Sequence, residues 1–302
     1  MRVLITGGTG FVGRPLCAHL LAQGHEVVVW SRTPQHALNL LPKGVATVAE
    51  PEDARGIDAA INLAGENLGS GRWTAARKQR FLDSRLHVTR RLVDWMEQAG
   101  VKTLISASAI GFYGARGDEV VSEDDMPSGA MQGGLDICSA WEAEAKRAAA
   151  FGARVAIVRI GLVLHPEGGG LQQMLLPFKL GIGGPMGSGK QWWSWIHRHD
   201  LVRLFTHLLE TEDAAGEFNG TAPNPLRQRD FAKTLGRVMR RPSFMPTPAF
   251  ALKIALGAMA ELLTQGQRVL PRRTQESGFC FAYPELEGAL RDLLQRPEKG
   301  AA

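Results

Sequence analysis

Residues 6–13 read Thr6-Gly7-Gly8-Thr9-Gly10-Phe11-Val12-Gly13, between an apolar strand signal (Val3-Leu4-Ile5) and an apolar helix signal over residues 16–21. Gly8, Gly10 and Gly13 fit G-x-G-x-x-G, and Gly7, Gly10 and Gly13 fit G-x-x-G-x-x-G. In a strand–turn–helix context such glycines allow a tight turn, a close approach of backbone to a pyrophosphate, and helix–strand packing. The helix N-terminus then offers N–H groups to the phosphates. The chain is thereby committed to an α/β fold that opens on a dinucleotide-binding turn.

The second strand, Glu26-Val27-Val28-Val29-Trp30, is β-branched and nearly continuous, as a buried parallel strand is. A turn of this kind that binds NAD usually places Asp or Glu at the end of that strand, on the ribose 2′-OH. Here the positions read Ser31-Arg32-Thr33. No carboxylate stands there to repel a 2′-phosphate. Arg32 can hold one with a planar, permanently charged fork, and Ser31 can add a hydrogen bond. The spacing therefore points to NADP(H); the plainer alternative makes Arg32 a solvated loop charge.

Strand and helix signals alternate through the first half, which predicts a doubly wound parallel sheet with helices on both faces. Strands are expected at 45–48, 58–65, 103–108 and 154–160, and helices around 74–98 and 137–151. Gly168-Gly169-Gly170 and the glycines of 181–189 then bracket a short apolar helix, read as part of a loop-rich lobe over the cleft. A Trp-rich segment (Trp192, Trp193, Trp195) precedes a helix over 200–209. The expected division is a Rossmann body, 1–165, completed by segments about 197–235; a smaller substrate lobe, 166–245; and a helical extension, 246–302. In that extension Ala251, Ile254, Ala255, Ala258 and Leu262 recur at helical spacing. They predict one helix whose apolar face packs on the lobe.

Composition narrows the partners. The net charge is +5 over 302 residues and the cations are dispersed, so nucleic acid is not expected. The three cysteines (Cys17, Cys138, Cys280) are too few and too far apart for a disulfide scaffold or a zinc pattern. A reducing, cytoplasmic setting is expected, with no metal site. Strand one begins at once, which leaves no room for a signal peptide. The most apolar stretch, 249–263, carries Lys253 and Glu261 and is short for a span, so no membrane partner is expected.

These features resemble an extended short-chain dehydrogenase/reductase of the NAD(P)-dependent epimerase/dehydratase superfamily. The resemblance is carried by the glycine turn, Asn62-Leu63-Ala64-Gly65, Ser106-Ala107-Ser108 with Tyr113-Gly114, and Arg159-Ile160-Gly161. It covers roughly residues 1–235. A narrower likeness, to the YfcH-like epimerase family with its C-terminal extension, rests on several further motifs. These are Gly65-Glu66-Asn67, Ser84-Arg85 with Thr89, Cys138 with Trp141-Glu142, Trp195-Ile196-His197 with Asp200, residues 267–271, and residues 278–281. With these it covers nearly the whole chain. The resemblance implies NADP(H) binding and leaves the substrate open. The cofactor-binding set it suggests is Thr6, Gly7, Gly10, Phe11, Val12, Gly13, Ser31, Arg32, Asn62, Leu63, Ala64, Gly65, Arg85 and Ser108. Arg85 lies on a helix flanking the cleft, either reaching the cofactor or pairing with Asp83 or Glu66. A monomer or homodimer is expected.

Enzymes of this superfamily usually work with Tyr-x-x-x-Lys on one helix face plus a Ser or Thr, the Lys lowering the Tyr pKa. This chain has two tyrosines; Gly117 stands four residues after Tyr113 and Glu287 four after Tyr283, so no Tyr-x-x-x-Lys exists. Ser108 alone sits where the Ser/Thr belongs. Ser108, Tyr113 and Glu142 are the catalytic candidates, with Cys138 beside them. The competing structural readings are core packing for Cys138 and an i, i+4 ion pair with Lys146 for Glu142. Two functions stay open: an oxidoreductase or epimerase-like enzyme with replaced acid–base groups, and a silent NADPH-binding regulatory or redox-sensing protein. The Trp-rich segment either lines a pocket or fills the core. Asp200 is expected to cap the helix that begins there, and His199 to be a surface residue.

Overall fold

A computed structural model describes residues 1–66, 74–128, 135–257 and 259–295; Asn67 and Ala258 lie outside the described residues. Seven strands form one parallel sheet: β1 (Arg2–Thr6), β2 (Glu26–Trp30), β3 (Ala46–Val48), β4 (Ala59–Asn62), β5 (Thr103–Ala109), β6 (Arg154–Ile160) and β7 (Gly216–Gly220). Their order is β7-β6-β5-β4-β1-β2-β3. The chain reverses direction across the sheet between β1 and β4. In open α/β sheets ligands bind at such a reversal, outside the carboxyl ends of the strands.

Successive side chains of a strand point to opposite faces. On one face Val3, Ile5 and Ile61 pack with Leu16, Leu20 and Phe205 under the Gly13–Ala22 and Arg198–Glu210 helices. On the other, Leu4, Ala60 and Leu104 pack with Leu92, Met96 and Ala145 under the Ala75–Ala99 and Leu135–Lys146 helices. The Ala75–Ala99 helix starts where Thr74 accepts from the Arg77 amide (3.3 Å) and ends at Gly100, whose left-handed backbone (φ 72°) suits glycine.

A third apolar cluster builds the lobe: Leu171 and Phe178 from the Gly169–Lys179 helix, Trp193, Trp195, and Phe231 and Leu235 from Gln228–Met239. The tail contributes Leu286 and Leu290 from the Leu286–Gln295 helix to the same cluster. The single tail helix read from the sequence is instead two, Ala249–Leu256 and Met259–Thr264, broken at Gly257 (φ 65°, ψ −138°). Of the expected stripe, Ala251 is half-buried and Ile254 is 69% exposed, while the side chains of Ala255, Ala258 and Leu262 lie outside the described residues; the buried positions here are Leu252 and Ala260. Strand β7 was not foreseen. Its sequence, Gly-Glu-Phe-Asn-Gly, has weak strand propensity. It forms by pairing with β6, and Thr274 Oγ1 from the tail donates to its Asn219 carbonyl (3.0 Å).

Candidate functional site

The glycine turn leaves no room for larger residues. A Cβ on Gly13 would lie 2.2 Å from the Gly7 carbonyl oxygen, and one on Gly7 (φ 71°) 2.4 Å from that of Leu63. The turn is thus clamped against the end of β4, and the Gly13–Ala22 helix opens with no capping side chain. Phe11 is covered from the lobe, its ring 2.6 Å from where a Gly168 Cβ would sit. A shallow cavity of about 360 Å³ beside the turn is lined by Arg14, Leu40, Leu41, Glu167 and Arg198.

At the end of β2, Arg32 is exposed and makes no side-chain hydrogen bond or ion pair among the described residues. Ser31 beside it is half-buried. Leu63, Ala64 and Gly65 line up after β4, with the Leu63 amide held by the Thr6 carbonyl (3.0 Å). Thr6 and Asn62 are turned inward. Thr6 Oγ1 donates to Asn62 Oδ1 (2.7 Å), and Asn62 Nδ2 donates to Thr89 Oγ1 (2.8 Å) and Ser106 Oγ (3.1 Å). Their side chains tie β1, β4 and β5 together beneath the cleft.

Arg85 is buried and pairs with neither Asp83 nor the Glu66 carboxylate. Its guanidinium donates to the carbonyls of Phe81 (3.0 Å) and Glu66 (3.2 Å) and lies over Trp141 (5.1 Å). Gly65 passes so close that a Cβ would be 2.8 Å from the Arg85 Cζ. Burial pulls the Arg85 pKa down.

The catalytic candidates converge on one buried chain. The sheet register puts Ser108, Arg159 and Asn219 side by side on β5, β6 and β7. Ser108 Oγ donates to Glu142 Oε1 (2.7 Å). Arg159 grips Glu142 with both arms, Nε to Oε1 and Nη2 to Oε2, each 2.9 Å. Arg159 Nη1 donates to the Tyr113 hydroxyl (3.0 Å), which donates to Asn219 Oδ1 (2.8 Å). The guanidinium also lies 3.6 Å over the Phe112 ring. Lys146, the partner expected for Glu142, is 3.7 Å away and is closer to Glu217 (2.7 Å).

Electrostatics follow from this packing. Burial pushes the Tyr113 hydroxyl up to about 12, against the lowering influence of Arg159. Burial, with the Glu142 charge, pushes the Cys138 thiol up to about 12. Burial opposes the Arg159 charge, but the hydrogen bonds and charges of Glu142 and Tyr113 together outweigh it and hold the group above its ordinary value.

The Trp-rich segment divides. Trp193 and Trp195 fill the lobe core, while Trp192 sits between Arg227 (4.3 Å) and Arg268 (4.6 Å) and donates to Asp118 (3.0 Å). Nearby, a cavity of about 590 Å³ opens among Gly117, Asp118, Lys190, Arg227, Arg229 and Gln265. Asp200 does not cap its helix. His197 does so, its Nδ1 accepting from the His199 amide (3.0 Å), with His199 exposed. Asp200 is fully buried and accepts from the tail amides of Ala282 (2.9 Å) and Tyr283 (2.8 Å). No group of three or more possible metal ligands occurs among the described residues.

Residues 3–219 match the profile of the NAD dependent epimerase/dehydratase family. The chain belongs to that family. Residues 247–293 match a second profile, a domain of unknown function (DUF1731). Over its length the chain is similar to "Epimerase family protein SDR39U1 homolog, chloroplastic" of Arabidopsis thaliana, 40% identical over 98% of this chain and 87% of the relative. It is also similar to "Epimerase family protein YfhF" of Bacillus subtilis, 39% identical over 97% of this chain and 98% of the relative. Among solved structures, the human epimerase family protein SDR39U1 with NADPH superposes with a TM-score of 0.89 at 36% identity, covering 98% of this chain and all of that one. In this epimerase-family chain, the Leu135–Lys146 helix presents Cys138 and Glu142 at i, i+4 spacing, beside Ser108.

Proposed function

We propose that the protein binds NADP(H) across the β1/β4 reversal and acts on a small molecule whose identity is open. The glycine turn takes the pyrophosphate, with Gly7, Gly10, Phe11, Val12 and Gly13 lending backbone amides and close approach. Leu63, Ala64, Gly65 and the buried Arg85 line the far wall, above the Thr6–Asn62 tie. Ser31 and Arg32 take the 2′-phosphate. The observation that carries the reading is Arg32 at the end of β2, exposed and unpaired among the described residues, beside a turn where a Cβ on Gly7, Gly8 or Gly13 would intrude. That the human relative was solved with NADPH supports it. The bound cofactor would supply hydride donor and acceptor chemistry.

Within this reading residues 1–165, completed by about 197–235, form the nucleotide-binding body, 166–245 the substrate lobe and 246–302 the extension. The apolar cluster around Leu171, Phe178 and Trp195 is separate from the two that sandwich the sheet, and the extension packs into it through Leu286 and Leu290. No helix among the described residues is long and apolar enough to cross a membrane. The free cysteines Cys17, Cys138 and Cys280 fit the reducing conditions of the cytoplasm.

Ser108 would hydrogen-bond a substrate oxygen, with Glu142 accepting its proton and Arg159 holding the Glu142 carboxylate in position. Tyr113 positions Arg159 from behind. A second reading, a binding-only protein, is favoured by the same network: Glu142 is tied by three hydrogen bonds, one from Ser108 and two from Arg159, and the Tyr113 proton is held tightly. Matched acid–base catalysis is worth about 10²–10⁴-fold. NADPH oxidation against a panel of carbonyls, and turnover of UDP-glucose, are therefore expected to be absent or slower by about that factor than with a Tyr-x-x-x-Lys pair. Any turnover found should fall at least about tenfold in Ser108→Ala and Glu142→Gln. Turnover untouched by Ser108→Ala, Tyr113→Phe and Glu142→Gln would refute this placement. Tight NADPH binding with no turnover on any substrate would leave the binding-only reading.

A further inference from the structure

Six large apolar side chains are turned to water on the lobe and the first tail helix: Leu176, Leu180, Ile182, Phe244, Phe250 and Ile254, from 52% (Ile182) to 72% (Phe244) exposed. The stretches of chain that carry them are paired. The Met245 amide donates to the Gly183 carbonyl (3.2 Å), Thr247 to Pro185 (2.8 Å) and Gly187 to Thr247 (2.9 Å), so the 181–187 and 242–247 segments run side by side. Gly184 is pressed so closely to Met245 that a Cβ would be 2.2 Å from its carbonyl oxygen. Soluble monomers rarely expose contiguous apolar patches above a few hundred Å² without a binding role.

The charges on these two stretches of chain carry one sign. Lys179 falls between Leu176 and Leu180, and Lys253 between Phe250 and Ile254, each trio at i, i+3, i+4 on one helix face. Arg240 and Arg241 are exposed just before the Phe244 loop. None of these four cations makes an ion pair among the described residues. Neither 168–199 nor 231–260 contains an Asp or Glu. Arg240 even keeps a charged side chain in a left-handed backbone (φ 54°), where glycine is easier.

We propose that this face docks the protein on an anionic lipid surface, lying on the membrane and not crossing it. The apolar side chains would enter the headgroup boundary, and the lysine stems would lie along it with their ammonium groups among lipid phosphates. Charge complementarity selects this occupant. A second copy of the chain, joined about a two-fold axis, would set Lys179 and Lys253 against like charges. A neutral apolar partner would leave them unmatched. The inference revises the expectation of no membrane partner and is independent of the cofactor reading.

The test is co-sedimentation of the purified full-length chain with vesicles of phosphatidylcholine alone, and with vesicles that also contain phosphatidylglycerol. Binding is expected only with the anionic vesicles, and it should weaken as salt is raised. A basic residue at such a surface is worth about fivefold in binding. Lys179→Glu with Lys253→Glu should therefore cost more than about tenfold. Phe250→Ser with Ile254→Ser should cost a similar factor. NADPH affinity and melting temperature, unchanged in both pairs, establish that these exposed sites leave the fold intact. Equal sedimentation with neutral and anionic vesicles, none with either, or full binding by the Phe250→Ser, Ile254→Ser pair would overturn the proposal. So would a dimer in solution that this pair dissociates.

Discussion

At the scale of single residues, the decisive arrangement is Glu142 held by Arg159. Both side chains are 2% exposed, and Ser108, Tyr113 and Asn219 extend the contact across three strands. Removing one partner of a buried ion pair leaves an uncompensated charge, at a cost of about 3–5 kcal/mol. Glu142→Gln, which strands Arg159, is thus expected to lower unfolding stability by about 3 kcal/mol in urea titrations. Replacing both partners, Glu142→Leu with Arg159→Met, should recover most of the loss. If Glu142→Gln alone costs less than about 0.5 kcal/mol, the pair is not the anchor described here. Sequence spacing alone could name Glu142 and Tyr113 but not this bond. Residues 142 and 159 meet only because helix Leu135–Lys146 packs beside β6, and the nearer cue, Lys146 at i+4, pointed to the lesser partner.

At the scale of elements, the body of the sheet was legible because its strands are short apolar runs between turn signals. Strand β6 falls where its Val, Ala and Ile residues put it, and the Ala75–Ala99 helix starts at the Thr74 cap. What could not be read was made by contacts distant in sequence: β7, the break at Gly257, and the docking of residues 282–283 on Asp200. That docking site also sets a pH dependence. Burial pushes the His197 imidazole down to about 4, although Asp292 lies 3.4 Å from its Nε2; His199, His165 and Arg198 oppose a proton there too. Because the folded value lies below the ordinary 6.5, the unfolded chain binds the extra proton. The stabilisation is complete above about pH 6.5 and is lost as pH falls toward 4, by about 3 kcal/mol in total. Urea midpoints measured across that window should drop with acidity. His197→Asn keeps a capping oxygen but not the titration, and should flatten the slope. An unchanged slope would place the acid sensitivity elsewhere, His165 being the next candidate, also pushed down to about 4 by burial.

At the scale of the whole molecule, one end of the parallel sheet carries the proposed cofactor and substrate sites. The glycine turn and Arg32 lie on one side of the β1/β4 reversal, and Ser108 with its buried chain lies on the other. The lobe closes over Phe11, and the tail is bolted to β7 and to Asp200. The central claim is that this edge is built for NADP(H). Titration calorimetry of the wild-type chain and Arg32→Asp with NADPH and NADH tests it most directly. The wild type is expected to bind NADPH more tightly than NADH, and Arg32→Asp, where a carboxylate faces the 2′-phosphate, to lose that preference. Equal affinity of the wild type for the two cofactors, or a preference that survives Arg32→Asp, would contradict it.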